Sequence, residues 1–302
     1  MIIERKRIYI AGCGGMLGEA FYRVFGPDNE LKCTDKDVNE KWLSFLDFRD
    51  FEGYRRDVTA FRPDLLFHLG AYTDLEYCEK EPDDTYLTNT LAVENAAHIA
   101  NQLGIPLLYV STAGIFDGTK EAYDDWDAPN PLGHYARSKY MGEKYVAQNC
   151  RQHLVCRAGW MMGGGPRKDK KFVQKVIAQI KAGKTELFVV DDKFGTPTYT
   201  HDFARNVGLL LEQQLWGVYN MVCGGMTGRL EVARELLRLL GRQDDIKITP
   251  VNSDFFAKEY FALRPPSEQL ITKKLQLRGV NIMRDWRVCL KEYLFDYYQG
   301  YL

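Results

Sequence analysis

Tyr135 and Lys139 stand four residues apart in the run Tyr135-Ala-Arg-Ser-Lys139. On a helix that spacing puts both side chains on one face, so a phenol and an ammonium converge. A tyrosine near pKa 10 is a poor proton carrier at neutral pH, and an adjacent cation brings it into working range by stabilising phenolate. Such a phenol gives a proton to a carbonyl oxygen during reduction, or removes one from an alcohol during oxidation. Thr112 follows the apolar run Leu107 to Ser111, 23 positions before Tyr135, and its hydroxyl is expected to hydrogen-bond the same oxygen. Tyr-x-x-x-Lys by itself also occurs in plain amphipathic helices. The reading of Thr112, Tyr135 and Lys139 as catalytic therefore rests on what surrounds them.

The second group of residues is a glycine turn. Ile8 to Ala11 is a strand-length apolar run; Gly12-Cys13-Gly14-Gly15-Met16-Leu17-Gly18 follows, and Leu17 to Val24 has helical spacing. A strand, a turn with Gly12, Gly15 and Gly18, and a helix bring backbone close to a diphosphate. Gly14, Gly15, Met16 and Leu17 lie at the helix start, whose free N–H groups and positive dipole end face the phosphates, while Gly18 lets the helix pack on the sheet. Asp35, 17 positions past Gly18 at the end of the strand Leu31 to Thr34, is placed to hydrogen-bond the adenosine ribose. The cofactor this implies is NAD(P)H. An acid at that point repels a 2'-phosphate and leans toward NADH, while Lys36 acts in the opposite sense unless it is a solvated surface charge.

The elements that must position these groups alternate. Asp64 to Leu69 reads as a buried strand and Thr85 to Leu103 as a long amphipathic helix closed by Gly104. Leu107 to Ser111 is a strand opened by Pro106, Tyr135 to Asn149 a helix, and Leu154 to Arg157 a strand. This predicts an α/β fold, a Rossmann-type doubly wound parallel sheet with a smaller, interleaved C-terminal substrate lobe. Residues 1–158 form the dinucleotide-binding part, with later returns near 195–222, and 159–302 mainly the substrate lobe. The loops Gly163 to Lys171 and Ala262 to Gln269 are expected to belong to that lobe.

Composition sets the bounds. The 302 residues are 45% hydrophobic and 27% charged, with 40 basic and 41 acidic side chains. A net charge of -1 gives no field to hold nucleic acid or an anionic membrane, so a small-molecule partner is expected. No window is long and apolar enough to span a membrane. The start, MIIERKRIYIAG, does not read as a secretory signal. The seven cysteines contain no Cys-x-x-Cys pair, so reduced thiols, a cytoplasmic location and no metal site are expected. Tyr297, Tyr298 and Tyr301 near the C-terminus read as packing against a neighbouring element or a subunit partner, such as a second copy in a homodimer.

With these residues in place the chain resembles the extended short-chain dehydrogenase/reductase family. Within it, the resemblance is to the NDP-4-keto-6-deoxysugar reductase group typified by dTDP-4-dehydrorhamnose reductase, and it runs nearly end to end. The segments that carry it are His68-Leu-Gly-Ala71-Tyr-Thr73, along the cofactor; Asn89, a structural asparagine; Ser111 to Gly118; Pro131 to Lys139; Arg157-Ala-Gly-Trp160; Val189 to Thr198, similar to VVDDQxGxPT; and Arg264-Pro265, similar to the start of RPxxSxL. The resemblance implies that Ala71, Thr73, Asn89 and Asp47 serve the cofactor, Asp47 near its adenine end unless it is a helix N-cap. It also implies that Ala113, Gly114, Trp160 and Arg264 face a nucleotide-sugar substrate. The expected activity is reduction of its keto group. A nucleotide-sugar epimerase of the same fold is one alternative. A non-catalytic NAD(P)-binding regulatory subunit, like the methionine adenosyltransferase β subunit, is another.

Two departures stand out. The group's aspartate and tyrosine after the catalytic threonine are Ala113 and Gly114 here, and Glu268 and Gln269 stand where a serine and an arginine are expected. The basic run Arg167, Lys168, Lys170 and Lys171 reads either as a solvated loop or as a grip on a nucleotide diphosphate. His68, at a strand end, reads as structural.

Overall fold

The computed structural model describes residues 3–300. Met1, Ile2 and Tyr301, which figure in the terminal readings above, lie outside them. The first half runs β1 (Arg7–Ala11), α1 (Met16–Phe25), β2 (Glu30–Asp35), β3 (Leu43–Phe45), α2 (Phe51–Phe61) and β4 (Leu65–His68). It continues through α3 (Leu75–Lys80), α4 (Pro82–Tyr86), a π-turn (Leu87–Leu91), α5 (Ala92–Leu103), β5 (Leu107–Thr112), α6 (His134–Asn149) and β6 (His153–Ala158). The second half is finer-grained: β7 (Trp160–Met162), α7 (Gly165–Lys168), α8 (Phe172–Lys181), β8 (Glu186–Val190), β9 (Phe194–Gly195), β10 (Pro197–Tyr199) and α9 (Thr200–Glu212). It ends with β11 (Gly217–Asn220), β12 (Thr227–Gly228), α10 (Arg229–Leu239), β13 (Lys247–Val251), β14 (Ser267–Glu268), α11 (Lys273–Leu277) and α12 (Trp286–Tyr298).

Seven parallel strands form the central sheet in the order β11-β6-β5-β4-β1-β2-β3. The order reverses between β1 and β4, which opens a crevice at the carboxyl ends of those strands. Both faces are covered. Along β1, Ile8 and Ile10 enter one apolar cluster with α1 and α9, while Tyr9 and Ala11 enter another with α2 and α5. That is the period-two alternation of a strand buried on both sides.

One expected element is redrawn. The helix expected over Thr85 to Leu103 starts earlier, at Pro82, and contains the π-turn. Proline suits a first helical position, where its missing N–H has no partner to lose. Gly104 closes the helix with a left-handed φ of 65°, as expected. Among the described residues no helix is long and apolar enough to cross a membrane. All seven cysteines are buried free thiols.

The smaller sheets sit beyond the carboxyl edge of the central one. β9 pairs with β12 on one side and β14 on the other, and β10 pairs with β7. These short pairings carry Trp160, Arg229 and Glu268 toward the end of β5.

Candidate active site

The glycine turn divides its work. Gly12 has φ 76°, and a Cβ there would lie 2.2 Å from Gly70 Cα, so the turns after β1 and β4 press together. A Cβ on Gly18 would meet the Cys13 carbonyl oxygen at 2.2 Å, so Gly18 lets the start of α1 close on the turn itself rather than on β1. At Gly15 a Cβ would meet nothing within 4 Å. Gly15 is also the N-cap of α1 and offers no side-chain cap, leaving first-turn N–H groups beside open space. This is a cradle for an anion at a helix start, and it fits a dinucleotide diphosphate. Met16 is half-buried there; the Leu17 side chain belongs to the core, so only its backbone can serve a ligand.

Asp35 accepts from Gly14 N–H at 2.8 Å and from Asp37 N–H at 2.9 Å, which ties the end of β2 to the glycine turn. The Lys36 ammonium donates to the Tyr72 hydroxyl at 3.0 Å. Asp47 is not a helix N-cap: Asp50 caps α2, accepting from Gly53 N–H. Asp47 instead pairs with Arg49, which holds its carboxyl below the usual range and reaches Asp84 and Tyr72 as well. Asn89 is fully buried; its side-chain oxygen accepts from Tyr72 N–H at 2.8 Å and its amide donates to the Tyr72 carbonyl at 3.0 Å. It fixes the segment holding Ala71 and Thr73, so any service to a cofactor is indirect. His68 is buried, bonded to the Tyr54 hydroxyl, and held neutral by burial at a pKa of about 3.

Thr112 ends β5, and Tyr135 stands in the first turn of α6; a Cβ on Gly114 would lie 3.5 Å from Thr112 Oγ1 and 3.8 Å from Tyr135 Cε1, so both border one point. Burial pushes Tyr135 up to about 12, the Thr112 hydrogen bond works the other way, and the Glu268 carboxylate adds to the rise. Lys139 departs from expectation. Its ammonium donates to the Val110 carbonyl at 2.7 Å and sits 4.2 Å from the Tyr109 ring centroid. Burial pushes it down to about 7. In this arrangement it braces β5 rather than the phenol.

The start of α6 is held from outside. Its N-cap, Gly133, has no side chain, and Glu79 of α3 accepts from His134 N–H at 2.6 Å. One turn on, Ser138 receives the Asn89 amide at 3.2 Å, and its carbonyl accepts from Thr90 at 2.9 Å. The π-turn is thereby stitched to α6.

The residues expected to face substrate separate into two groups. Gly114 lies in the site, beside Thr112 and Tyr135. Ala113 does not: it is 2% exposed, within an apolar cluster with Ile115, Phe116 and Leu270. The 3-10 turn over Ala113–Ile115 rotates successive positions by about 120°, so Ala113 and Gly114 face different directions. Trp160 is half-buried, with Gly195 pressed on its ring and the Arg229 guanidinium 3.7 Å from a ring centroid on the indole. The Trp160 Nε1–H donates to Glu268 at 2.8 Å. The Arg264 fork is occupied by Glu76 at 2.7 and 2.9 Å, so this arginine anchors its loop to α3.

The basic run is not uniformly solvated. Arg167 is exposed, but Lys168 is buried, donating to the Gly14 carbonyl at 3.2 Å, and Lys171 donates to the Thr73 carbonyl at 3.1 Å. Gly164 packs on Met16. Residues 163–171 form a strap along the rim of the glycine cradle. Tyr297 bonds Glu19 and Tyr298 bonds Gln174, so both pack against neighbouring elements of the chain.

Sequence reasoning left Glu268 without a role and missed Arg229, Glu76 and Glu79. For Glu268 a signal was present, since a long acid stands where a small residue is expected and glycine stands at 114.

The chain is similar to known proteins in sequence and in fold. The dTDP-4-dehydrorhamnose reductase of Shigella flexneri is 28% identical over 295 residues, covering 95% of this chain and 96% of that protein. The spore coat polysaccharide biosynthesis protein SpsK of Bacillus subtilis is 27% identical over 289 residues, covering 95% and 96%. Among solved structures, dTDP-4-dehydrorhamnose reductase from Bacillus anthracis in complex with NADP superposes with a TM-score of 0.86 at 27% identity, covering 97% of this chain and 99% of that one. A Thermus thermophilus UDP-glucose 4-epimerase complex with NAD, 21% identical and covering 98% and 100%, shares the fold at a TM-score of 0.79. The family described as RmlD substrate binding domain matches residues 6–299, and the chain belongs to that family.

Proposed function

We propose that this chain reduces the keto group of a nucleotide-activated sugar, of the 4-keto-6-deoxy class, using a reduced nicotinamide dinucleotide. The observation that carries the reading is that Thr112 Oγ1, at the carboxyl end of β5, and the Tyr135 ring both border Gly114, on a sheet that also carries the Gly15 cradle. The bound dinucleotide supplies the hydride. Thr112 orients the carbonyl oxygen, and Tyr135 delivers a proton to it. A phenol held near 12 is protonated at neutral pH, the form that reduction requires. Gly14 to Leu17 cradle the diphosphate, while Ala71 and Thr73 line the cofactor. Lys139 contributes positive potential to the site, and to hold the nicotinamide ribose its ammonium exchanges the Val110 carbonyl for a ribose hydroxyl. Asp35 favours NADH, since its carboxylate occupies the turn a 2'-phosphate would approach, and Lys36 is engaged by Tyr72.

The test is Tyr135→Phe, assayed on NDP-4-keto-6-deoxysugars with NADH and with NADPH. Turnover is expected to fall by about 100-fold or more, with cofactor affinity unchanged and kcat/KM higher for NADH. Undiminished turnover in Tyr135→Phe would remove Tyr135 from the reaction, and a preference for NADPH would remove the role given to Asp35.

A further inference from the structure

The two departures noted in the sequence, glycine at 114 and glutamate at 268, meet in space. A Cβ on Gly114 would stand 3.1 Å from Glu268 Oε1, 3.5 Å from Thr112 Oγ and 3.8 Å from Tyr135 Cε1. A carboxylate, the orienting hydroxyl and the proton-donating ring therefore surround one point. Even a methyl at 114 would be tight against Glu268 Oε1. Glu268 is held in place on its other side: Oε2 accepts from the Trp160 indole at 2.8 Å, and β14 is fixed by its pairing with β9. The Arg229 guanidinium lies over the same indole, 3.7 Å from the centroid, and feels the Glu268 charge. The described structure gives Arg229 no hydrogen-bonded acid.

We propose that Glu268 is a specificity-determining residue, accepting a hydrogen bond through Oε1 from a hydroxyl on the sugar carbon next to the carbonyl. The inference rests on the keto-reduction reading and names which sugars that site takes. Oε2 is already occupied by Trp160, so Oε1 is the oxygen turned toward Gly114 and the reacting groups. Arg229 balances the carboxylate's charge, so a neutral donor suits the position better than an ammonium. A hydroxyl oriented there also fixes the neighbouring carbonyl against Thr112 and Tyr135, since adjacent ring carbons move together.

Glu268→Gln keeps the size of the side chain. Its amide oxygen stays with the Trp160 N–H, so an NH2 group faces the sugar where an acceptor stood. Wild type and variant are compared on a 4-keto-6-deoxyhexose nucleotide with a C3 hydroxyl and on its 3-deoxy analogue, with cofactor affinity measured alongside. The expected result is a fall of about 10-fold or more in kcat/KM on the 3-hydroxy sugar, with no loss on the 3-deoxy sugar and unchanged cofactor affinity. The alkaline limb of the reduction profile also moves to lower pH, because phenolate forms more easily once the neighbouring charge is gone. Equal loss on both sugars, or no loss on either, overturns the proposal. Glu268→Ser carries the same test if the glutamine variant does not fold. A wild-type protein that binds cofactor but reduces neither sugar overturns the keto-reduction reading itself, and this proposal with it.

Discussion

Lys139 shows how far a functional side chain can be held from its ordinary chemistry. Burial lowers its pKa from about 10.4 in water to about 7. Below pH 7 the folded and unfolded chains both carry the proton, and the cost of burying it is fully present. Between about 7 and 10.4 the unfolded chain holds a proton that the folded one has released, so this group makes stability rise with pH across that window. Lys139→Met removes the burial cost. Its Tm at pH 6 is expected to equal or exceed that of wild type, while turnover falls by about 100-fold. A Tm several degrees lower at pH 6 would show that the bond to the Val110 carbonyl outweighs desolvation. At this scale the sequence disclosed the groups whose spacing is local: Gly12 to Gly18, and Tyr135 with Lys139. It hid the groups that long-range pairing delivers. Glu268 reaches Trp160 across 108 positions and Glu76 reaches Arg264 across 188, and no periodicity announces either meeting.

Among elements, α6 depends most on its neighbours. A helix begins with N–H groups that lack partners, and Gly133 supplies no cap, so Glu79 does. Glu79→Ala is expected to cost about 1 kcal/mol of stability, in the range of a lost N-cap, measured by urea unfolding. It also lowers kcat, because Tyr135 follows the capped residue directly. Loss of stability with kcat unchanged would separate the cap from the chemistry. The strands and helices of the first half were legible because alternation and helical spacing are written in adjacent residues. The π-turn was not, since its reason lies elsewhere: with one extra residue in the turn, Asn89 faces Tyr72 while Thr90 faces Ser138. Asp47 was read as a possible cap for want of the same information. Asp50, three residues later, is the residue whose carboxylate meets a free N–H.

The whole molecule is an interleaved unit. The central sheet is completed by β11, from residues 217–220, and α9 packs against α1 across the sheet face. The parallel α/β sheet was legible from alternating elements. The short strands around Glu268 were not, because two- and three-residue pairings leave no periodic trace. The strap over residues 163–171 is joined to the cradle through Lys168 on Gly14 and Lys171 on Thr73. These links bear on the timing of the catalytic cycle. The expected consequence is that a dinucleotide leaving past the strap parts these links, making departure of the spent cofactor slower than hydride transfer. A rapid-mixing experiment is expected to show a burst of about one cofactor oxidised per protein before the steady rate, and Lys168→Ala should raise that steady rate. A linear trace with no burst would place the slow event at hydride transfer, and the strap would then set affinity rather than pace.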